Sequence, residues 1–509
     1  MLESAWSGLA ILFQPDSLLY MLEGSMLGII LSLVPGLTGV NAMILLIPLT
    51  YHMGASQAMV IMVSIIGASM CGGSVHTILI GIPGAGVNTP TVFDGFPLAK
   101  KGRAAEAIGA MAAASAYGGM FGALVLMISL PVMRKIVLLL GPPEYFMIAL
   151  LGLSIVGSLA GRSILSGLLA VCIGLMMSYV GFNPVVGGER FTFGIMGLWD
   201  GIPMTCAFIG LFAVSAVMDM ALEGSPIAEI KVKLKGSFNQ MLTGVKAPFH
   251  HLGLLLRCSA MGTVLGAVPG HGGVVGAFLT YAHAVQSAKD KSMFGKGDIR
   301  GVIGPESGKN AVGGGALIPT LSLGIPGSEM TALLLPVLML HGITPGPEMI
   351  TRHLDVVWVM VWSLVISHIF GSIISCLASP QLALITRVRP SYLVPIILAV
   401  SLIGSYTYNK RMEDVLITLV IGFIGYAMKS YKIPVAAAVM GYILGSVMEK
   451  SFFQSLQMGR GNFMVFFNRP ISLFLLIVTI VAFFWPYISI AIKRMRTGKT
   501  IAGQEQGGD

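Results

Sequence analysis

Charge is what this sequence has least of. Only 10% of its 509 residues are Asp, Glu, Lys or Arg, against about 25% in ordinary soluble domains. A soluble chain of this length could not cover its surface with so few charges, so the bilayer is the expected solvent for most of it. Cysteine is scarce too. Cys71, Cys172, Cys206, Cys258 and Cys376 are scattered and form no CxxC pair. They read as small buried hydrophobes, with neither a disulfide framework nor a metal site. There is no Walker A sequence, no HExxH and no GxSxG. ATP-driven transport and zinc proteolysis are therefore unsupported, and neither enzymatic activity nor an organic cofactor is expected. The first twenty residues hold no Lys or Arg, so the basic region of a cleaved signal peptide is missing.

What is present is apolar. Hydrophobic residues make up 55% of the chain and its mean hydropathy is +0.85. Its 65 glycines and 26 prolines lie largely inside apolar stretches, where membrane helices tolerate them. The net charge of +9 sits in short basic clusters between apolar segments, as the positive-inside rule expects, and does not point to nucleic acid. Apolar segments long enough to span, or nearly so, fall near 17–34, 37–50, 58–82, 105–131, 144–160, 162–182, 203–222, 250–268, 270–285, 311–341, 355–378, 382–404, 414–448 and 469–492. About 11–12 crossings are expected, the stretch 414–448 being open to division near Lys429–Pro434. The longest polar stretches are 223–247 and 286–310, and no soluble domain is visible.

The informative feature is an internal repeat. Gly28–Asn41 reads GIILSLVPGLTGVN and Cys71–Gly84 reads CGGSVHTILIGIPG. Gly262–Val275 reads GTVLGAVPGHGGVV and Gly314–Gly327 reads GGALIPTLSLGIPG. Each half carries V-P-G-x-x-G followed by G-I-P-G. Charge relates the halves. The first half has an uncharged connection between its motifs and a basic loop (Lys100, Lys101, Arg103) after the second. The second half has a basic connection between its motifs (Lys289, Lys291, Lys296, Arg300) and only Arg352 in the loop that follows. Equivalent loops therefore lie on opposite membrane faces, although Arg134 and Lys135 would fall outside. The expected fold is an all-α polytopic membrane protein of two inverted-topology repeats with Pro-Gly-broken helices or re-entrant hairpins. The first half spans 1–222, a polar cytoplasmic linker 223–247, the second half 248–492 and a cytoplasmic tail 493–509. The N-terminus comes out periplasmic.

Helices broken at membrane depth expose backbone groups that cost several kcal/mol each unless something satisfies them. Half-helices starting at Pro35-Gly36, Pro83-Gly84, Pro269-Gly270 and Pro326-Gly327 would aim N–H groups and positive dipole ends at a common point. Such a point suits a carboxylate, and exposed carbonyls beside it suit Na⁺. The flanking polar residues fit: Thr38, Asn41, Ser74, Thr77 and Asn88 in the first half, Thr320, Ser328 and Thr331 in the second. The competing reading is kinks for close helix packing, with Ser and Thr bonded to their own helix. His76 and His271 are read either as neutral hydrogen-bonded histidines or as substrate or proton contacts. Glu329 is read as a cation or proton carrier, or as an acceptor for N–H groups at the break. Lys309 either counters a carboxylate or lies in the cytoplasmic loop, and Asp94 reads as turn chemistry.

At these residues the chain resembles the large membrane subunit of the tripartite tricarboxylate transporters, the TctA family. The resemblance runs over nearly the whole chain. It is carried by PGLTGVNAMILLIPLTY from Pro35, GGSVHTILIGIPG from Gly72, DGFPLAKKGRAAEAIG from Asp94, FGKGDIRGVIGPE from Phe294 and NAVGGGALIPTLSLGIPGS from Asn310. It implies a permease for citrate and other di- and tricarboxylates in the bacterial inner membrane. The implied partners are a periplasmic solute-binding protein and a small four-helix membrane subunit, with Na⁺ or H⁺ as coupling ion. The family's glycine-rich patterns map onto Pro35, Gly36, Thr38, Gly39 and Asn41, onto Pro269, Gly270, Gly272 and Gly273, and onto Asn310, Gly314 and Gly315. The expected substrate site takes Pro35, Gly36, Thr38, Gly39, Asn41, Gly270, Gly272, Gly273 and Asn310 from these, together with Gly84, Gly327 and the flanking polar residues. The sequence departs from the family at Thr38, His76, Gly81, Lys309 and Glu329, all beside that site. Another small organic anion is the alternative substrate class, and an anion channel the more distant rival.

Overall fold

The computed structural model describes residues 2–34, 37–159, 164–183, 187–223, 238–269, 272–379, 381–382 and 393–484. The described chain is helical apart from one two-residue antiparallel ladder, Gly181–Phe182 with Glu189–Arg190. Pro35, Gly36, Gly270, His271, the linker over 224–237 and the tail 493–509 lie outside the described residues.

The first half runs α1 (Leu2–Leu12), α2 (Pro15–Leu33), α3 (Gly39–Thr50), α4 (Ala55–Ile80), α5 (Thr89–Lys100) and α6 (Ala104–Val137). Then come α7 (Pro142–Leu159), α8 (Ile164–Ser178), α9 (Met204–Phe208) and α10 (Ser215–Glu223). The second half repeats the order of α1–α6 with α11 (Phe238–His250), α12 (Leu252–Gly266), α13 (Gly272–Ser287), α14 (Arg300–Leu323), α15 (Glu329–Leu340) and, after the short α16 (Pro347–Arg352), α17 (Leu354–Leu377). Among the described residues Pro15–Leu33, Ala55–Ile80, Gly86–Val137, Leu354–Leu377 and Val435–Met458 are long and apolar enough to cross a membrane. The chain is an all-α polytopic membrane protein.

The chain forms two compact units, each drawing on both halves. One comprises Met1–Leu139 with Ile202–Tyr431, the other Leu140–Gly201 with Lys432–Asp509. In the larger unit, packing repeats with the halves exchanged. α2 packs on α4 and α12 on α14; α4 packs on α17 and α14 on α6; α1 packs on α17 and α11 on α6. Glycines at matched positions make the crossings. A methyl group on Gly28 would press on the backbone of Ile65, and one on Gly262 would strike the backbone of Gly308. Gly72 lies against Ile29, and Gly315 against Thr263. Gly371 of α17 meets Ala68, and Gly122 of α6 meets Ala311. Lipid tails are as apolar as leucine, so helices in a bilayer are held by close packing, which small residues permit.

Three sequence expectations change here. The polar stretch 286–310 is not all connection, because α14 begins at Arg300 and its residues 301–312 are buried. Its polar groups pair inside the protein, so hydropathy undercounts the helix. The span 311–341 is two helices, broken at Gly324. The stretch 414–448 divides between helices Met412–Ser430 and Val435–Met458, and the linker from Phe238 onward is already α11.

In the smaller unit, α7 (Pro142–Leu159), α8 (Ile164–Ser178) and Val435–Met458 pack together, with Gly174 on the backbone of Ala438 and Gly441 on that of Val171. Arg190 holds Glu449 with two bonds, at 2.6 and 3.1 Å, and Arg469 reaches Glu144 at 2.6 Å.

The glycine contacts give a direct test. Gly122→Leu pushes a side chain into the α14 backbone, and the expected outcome is a loss of about 3 kcal/mol or more, or no folded protein. Gly253→Ala, whose methyl meets nothing within 4 Å, should leave stability unchanged or raise it by about 0.5–1 kcal/mol. Thermal unfolding of the purified variants in detergent reads both.

Candidate substrate site

α4 ends on Gly81 with φ 77° and α14 on Gly324 with φ 71°, a left-handed conformation that glycine adopts without strain. The Gly81 N–H donates to Thr77 at 3.0 Å and the Gly324 N–H to Thr320 at 3.2 Å. Each G-I-P-G then carries the chain out of the helix, since proline cannot continue the ladder. The other break in each half separates α2 from α3 and α12 from α13.

These four breaks touch in a closed ring. Within the halves, a methyl on Gly84 would meet the Ser32 carbonyl, and one on Gly327 the Gly266 carbonyl. Ser32 and Gly266 both lie three residues before the V-P-G proline of their half. Between the halves, Gly39 lies against Met330 and Gly273 against Val87. Again the positions match: Gly39 and Gly273 are four residues after the V-P-G proline, Val87 and Met330 three after the last glycine of G-I-P-G. α3 packs on α15, and α13 on the 3₁₀ turn Gly86–Asn88 and on α5.

Much of the expected polar set is engaged at the breaks themselves. Thr38 and Asn41 form a capping box on α3: the Thr38 N–H donates to Asn41 Oδ1 at 2.9 Å and the Val40 N–H to Thr38 Oγ1 at 3.2 Å. Ser328 and Thr331 do the same for α15, at 3.0 and 3.2 Å. The helix starts are thus partly satisfied by their own side chains rather than left wholly open. Thr77 and Thr320 donate to the carbonyls of Gly73 and Ala316, at 2.7 and 2.6 Å, as local back-bonding would have it. Gly272 is the first residue of α13.

Beside the ring, Ser69 Oγ next to Gly39 is buried without a hydrogen-bond partner among the described residues, and the His76 ring approaches Gly84 and the Leu33 backbone without a well-formed hydrogen bond. Farther back on α14, Asn310 Oδ1 is also buried without a partner among the described residues. The amide of Asn310 donates to the Glu306 carbonyl at 2.8 Å. Glu329 is an exposed acid on the first turn of α15, where the helix dipole favours a negative charge.

Ser74 and Asn88, the latter next to Val87 of the ring, meet on Lys309. This lysine lies within α14, not in a loop, and is 1% exposed. Its ammonium donates to Ser74 Oγ, to Asn88 Oδ1 and, at 2.9 Å, to Glu306 Oε1. Glu306 also accepts from Thr91 at 2.7 Å and Ser115 at 2.9 Å. Sequence reasoning passed over Glu306. The available signal was the i,i+3 spacing of two opposite charges in a glycine-rich stretch, which puts both on one helix face. Breaking such a buried pair costs roughly 3–5 kcal/mol.

Asp94 is also more than turn chemistry. It is fully buried on α5, and its Oδ1 accepts from the backbone N–H groups of Gly295, Gly297 and Asp298 at 2.8–2.9 Å. Tyr281 donates to Oδ2 at 3.0 Å. One carboxylate of the first half thus fixes the entry to α14. Asp94→Ala would strand two buried donors, the N–H groups of Gly297 and Asp298, and the expected loss is about 2 kcal/mol or more. Glu329→Gln, on an exposed position, should shift thermal unfolding in detergent far less.

A family model described as the tripartite tricarboxylate transporter TctA family matches residues 18–440. A protein of Agrobacterium vitis, described as an uncharacterized 52.8 kDa protein of the TAR-I ttuC′ 3′ region, is 31% identical over 465 residues, covering 91% of this chain and 92% of that one. A second from the same organism, an uncharacterized protein of the TAR-II ttuC′ 3′ region, is 33% identical over 215 residues, covering 42% of this chain and 89% of its own. No solved structure matches. The ring of helix breaks thus lies wholly within the matched region, and the chain belongs to the tripartite tricarboxylate transporter TctA family.

Proposed function

We propose that this chain is the permease subunit of a secondary transporter that imports di- and tricarboxylates, citrate-like in charge, across the bacterial inner membrane. It takes solute from a periplasmic binding protein and works beside a small four-helix membrane subunit. A Na⁺ or H⁺ gradient drives the uptake, with the N-terminus on the periplasmic side and the C-terminus in the cytoplasm. Membership of a transporter family supports the class.

The observation that carries the reading is the closed ring of four helix breaks with unpartnered polar atoms beside it. A polar atom buried away from water without a partner costs about 1–3 kcal/mol. A ligand carrying both acceptors and donors, such as a partly hydrated carboxylate, relieves that cost at Ser69, His76 and Asn310. The two capped helix starts add dipole ends of the favourable sign. Discontinuous helices meeting at a repeat interface are a recurrent way to build such a site at the bilayer midplane. Small residues at every contact of the ring let the helices slide or separate, as alternating access requires.

The test is uptake of labelled di- and tricarboxylates into cells expressing the chain with its binding protein and small subunit. Saturable uptake that collapses without the binding protein is the expected result. Unsaturable flux would replace the permease by a channel. Asn310→Ala and Ser69→Ala should each lower uptake about tenfold or more if their free oxygens contact substrate, against unchanged protein levels. Where H⁺ is the coupling ion, His76→Gln and Glu329→Gln flatten the pH dependence of uptake; where Na⁺ is, they leave it intact.

A further inference from the structure

The Lys309 ammonium has a coordination shell, not only a counter-ion. Its three acceptors are Ser74 Oγ, Asn88 Oδ1 and Glu306 Oε1, and they come from α4, the end of the turn Gly86–Asn88, and α14 itself. One carboxylate, one amide oxygen and one hydroxyl around a dry point is the donor set of a hard monovalent cation. Glu306 is held for that role by Thr91 and Ser115, and the exposure of its side chain and of Lys309's is 0%. The pair has no copy in the other half. Counted back from Gly81 and Gly324, Lys309 matches Ile66 and Glu306 matches Val63.

A lysine that served to bind a substrate carboxylate would be expected to keep a donor free. This one has used all three of its donors on protein oxygens. We infer that the Ser74–Asn88–Glu306 oxygens form a monovalent-cation site and that Lys309 fills it with a tethered ammonium. The chain therefore needs no free cation at this point to join α4 and α5 to α14. For transport, which rests on the permease reading above, the consequence is that one cation is permanently bound and does not move with the solute. The cation site itself is independent of that reading.

Removing the tether should create a site for a free ion. In Lys309→Ala the oxygens remain and space opens; in the double variant Glu306→Gln/Lys309→Met the carboxylate is gone and the space is filled. The experiment is thermal unfolding of purified protein in NaCl and in N-methyl-D-glucamine chloride at equal ionic strength. The expected result is a Na⁺-dependent rise for Lys309→Ala that exceeds the wild-type rise by about 3 °C or more, with no excess for the double variant. Recovery of folded Lys309→Ala only when Na⁺ is present supports the site equally. A folded Lys309→Ala with the wild-type response overturns it, because the vacated oxygens then hold no Na⁺. Lys309→Ala unfolded in both salts beside a folded double variant overturns it too. Because the readout is stability, the result stands whether or not the chain transports carboxylates.

Discussion

The larger unit depends on helix backbones brought into contact through glycine. α14 is the centre of this arrangement, packed on α6, α12 and α13 and almost wholly buried. In a bilayer no hydrophobic effect gathers apolar helices, so dispersion contacts and polar pairing must do so. Both need close approach. Gly118 and Gly122 of α6 lie on the α14 backbone at Ser307 and Ala311, and Gly262 of α12 lies on it at Gly308. That closeness in turn excludes water from Glu306 and Lys309.

Polar groups buried at such depth must be satisfied from within, and the molecule does so in three ways. Opposite charges pair, as in Lys309 with Glu306. A carboxylate collects backbone donors, as Asp94 does from the loop before α14. Helix starts cap themselves, as at Thr38 and Ser328. Some buried groups among the described residues are reached by none of these, and Ser69 Oγ, beside the ring of helix breaks, is one of them.

The repeat was legible in the sequence, because V-P-G-x-x-G and G-I-P-G stand out against apolar surroundings and recur in order. The contacts between repeats were not, since they depend on which helix of one half meets which of the other. Gly39 against Met330 and Gly273 against Val87 join residues far apart in the chain. Nor was the division of labour among polar residues. Asn88 and Thr331 share a repeat position, yet Asn88 binds Lys309 whereas Thr331 caps its own helix. The difference lies in the partner that one half supplies and the other lacks. α14 was misread over its first three turns because its polarity looks like a loop until the pairing partners are in place.

The central claim is that a carboxylate sits where the four helix breaks meet. The most direct measurement is electron cryo-microscopy of the purified chain in lipid nanodiscs with saturating citrate and without it. The account predicts citrate-dependent density within hydrogen-bond reach of Ser69, His76 or Asn310, bordered by the starts of α3 and α15. Citrate density only in the smaller unit, beside Arg190 and Glu449, would contradict it.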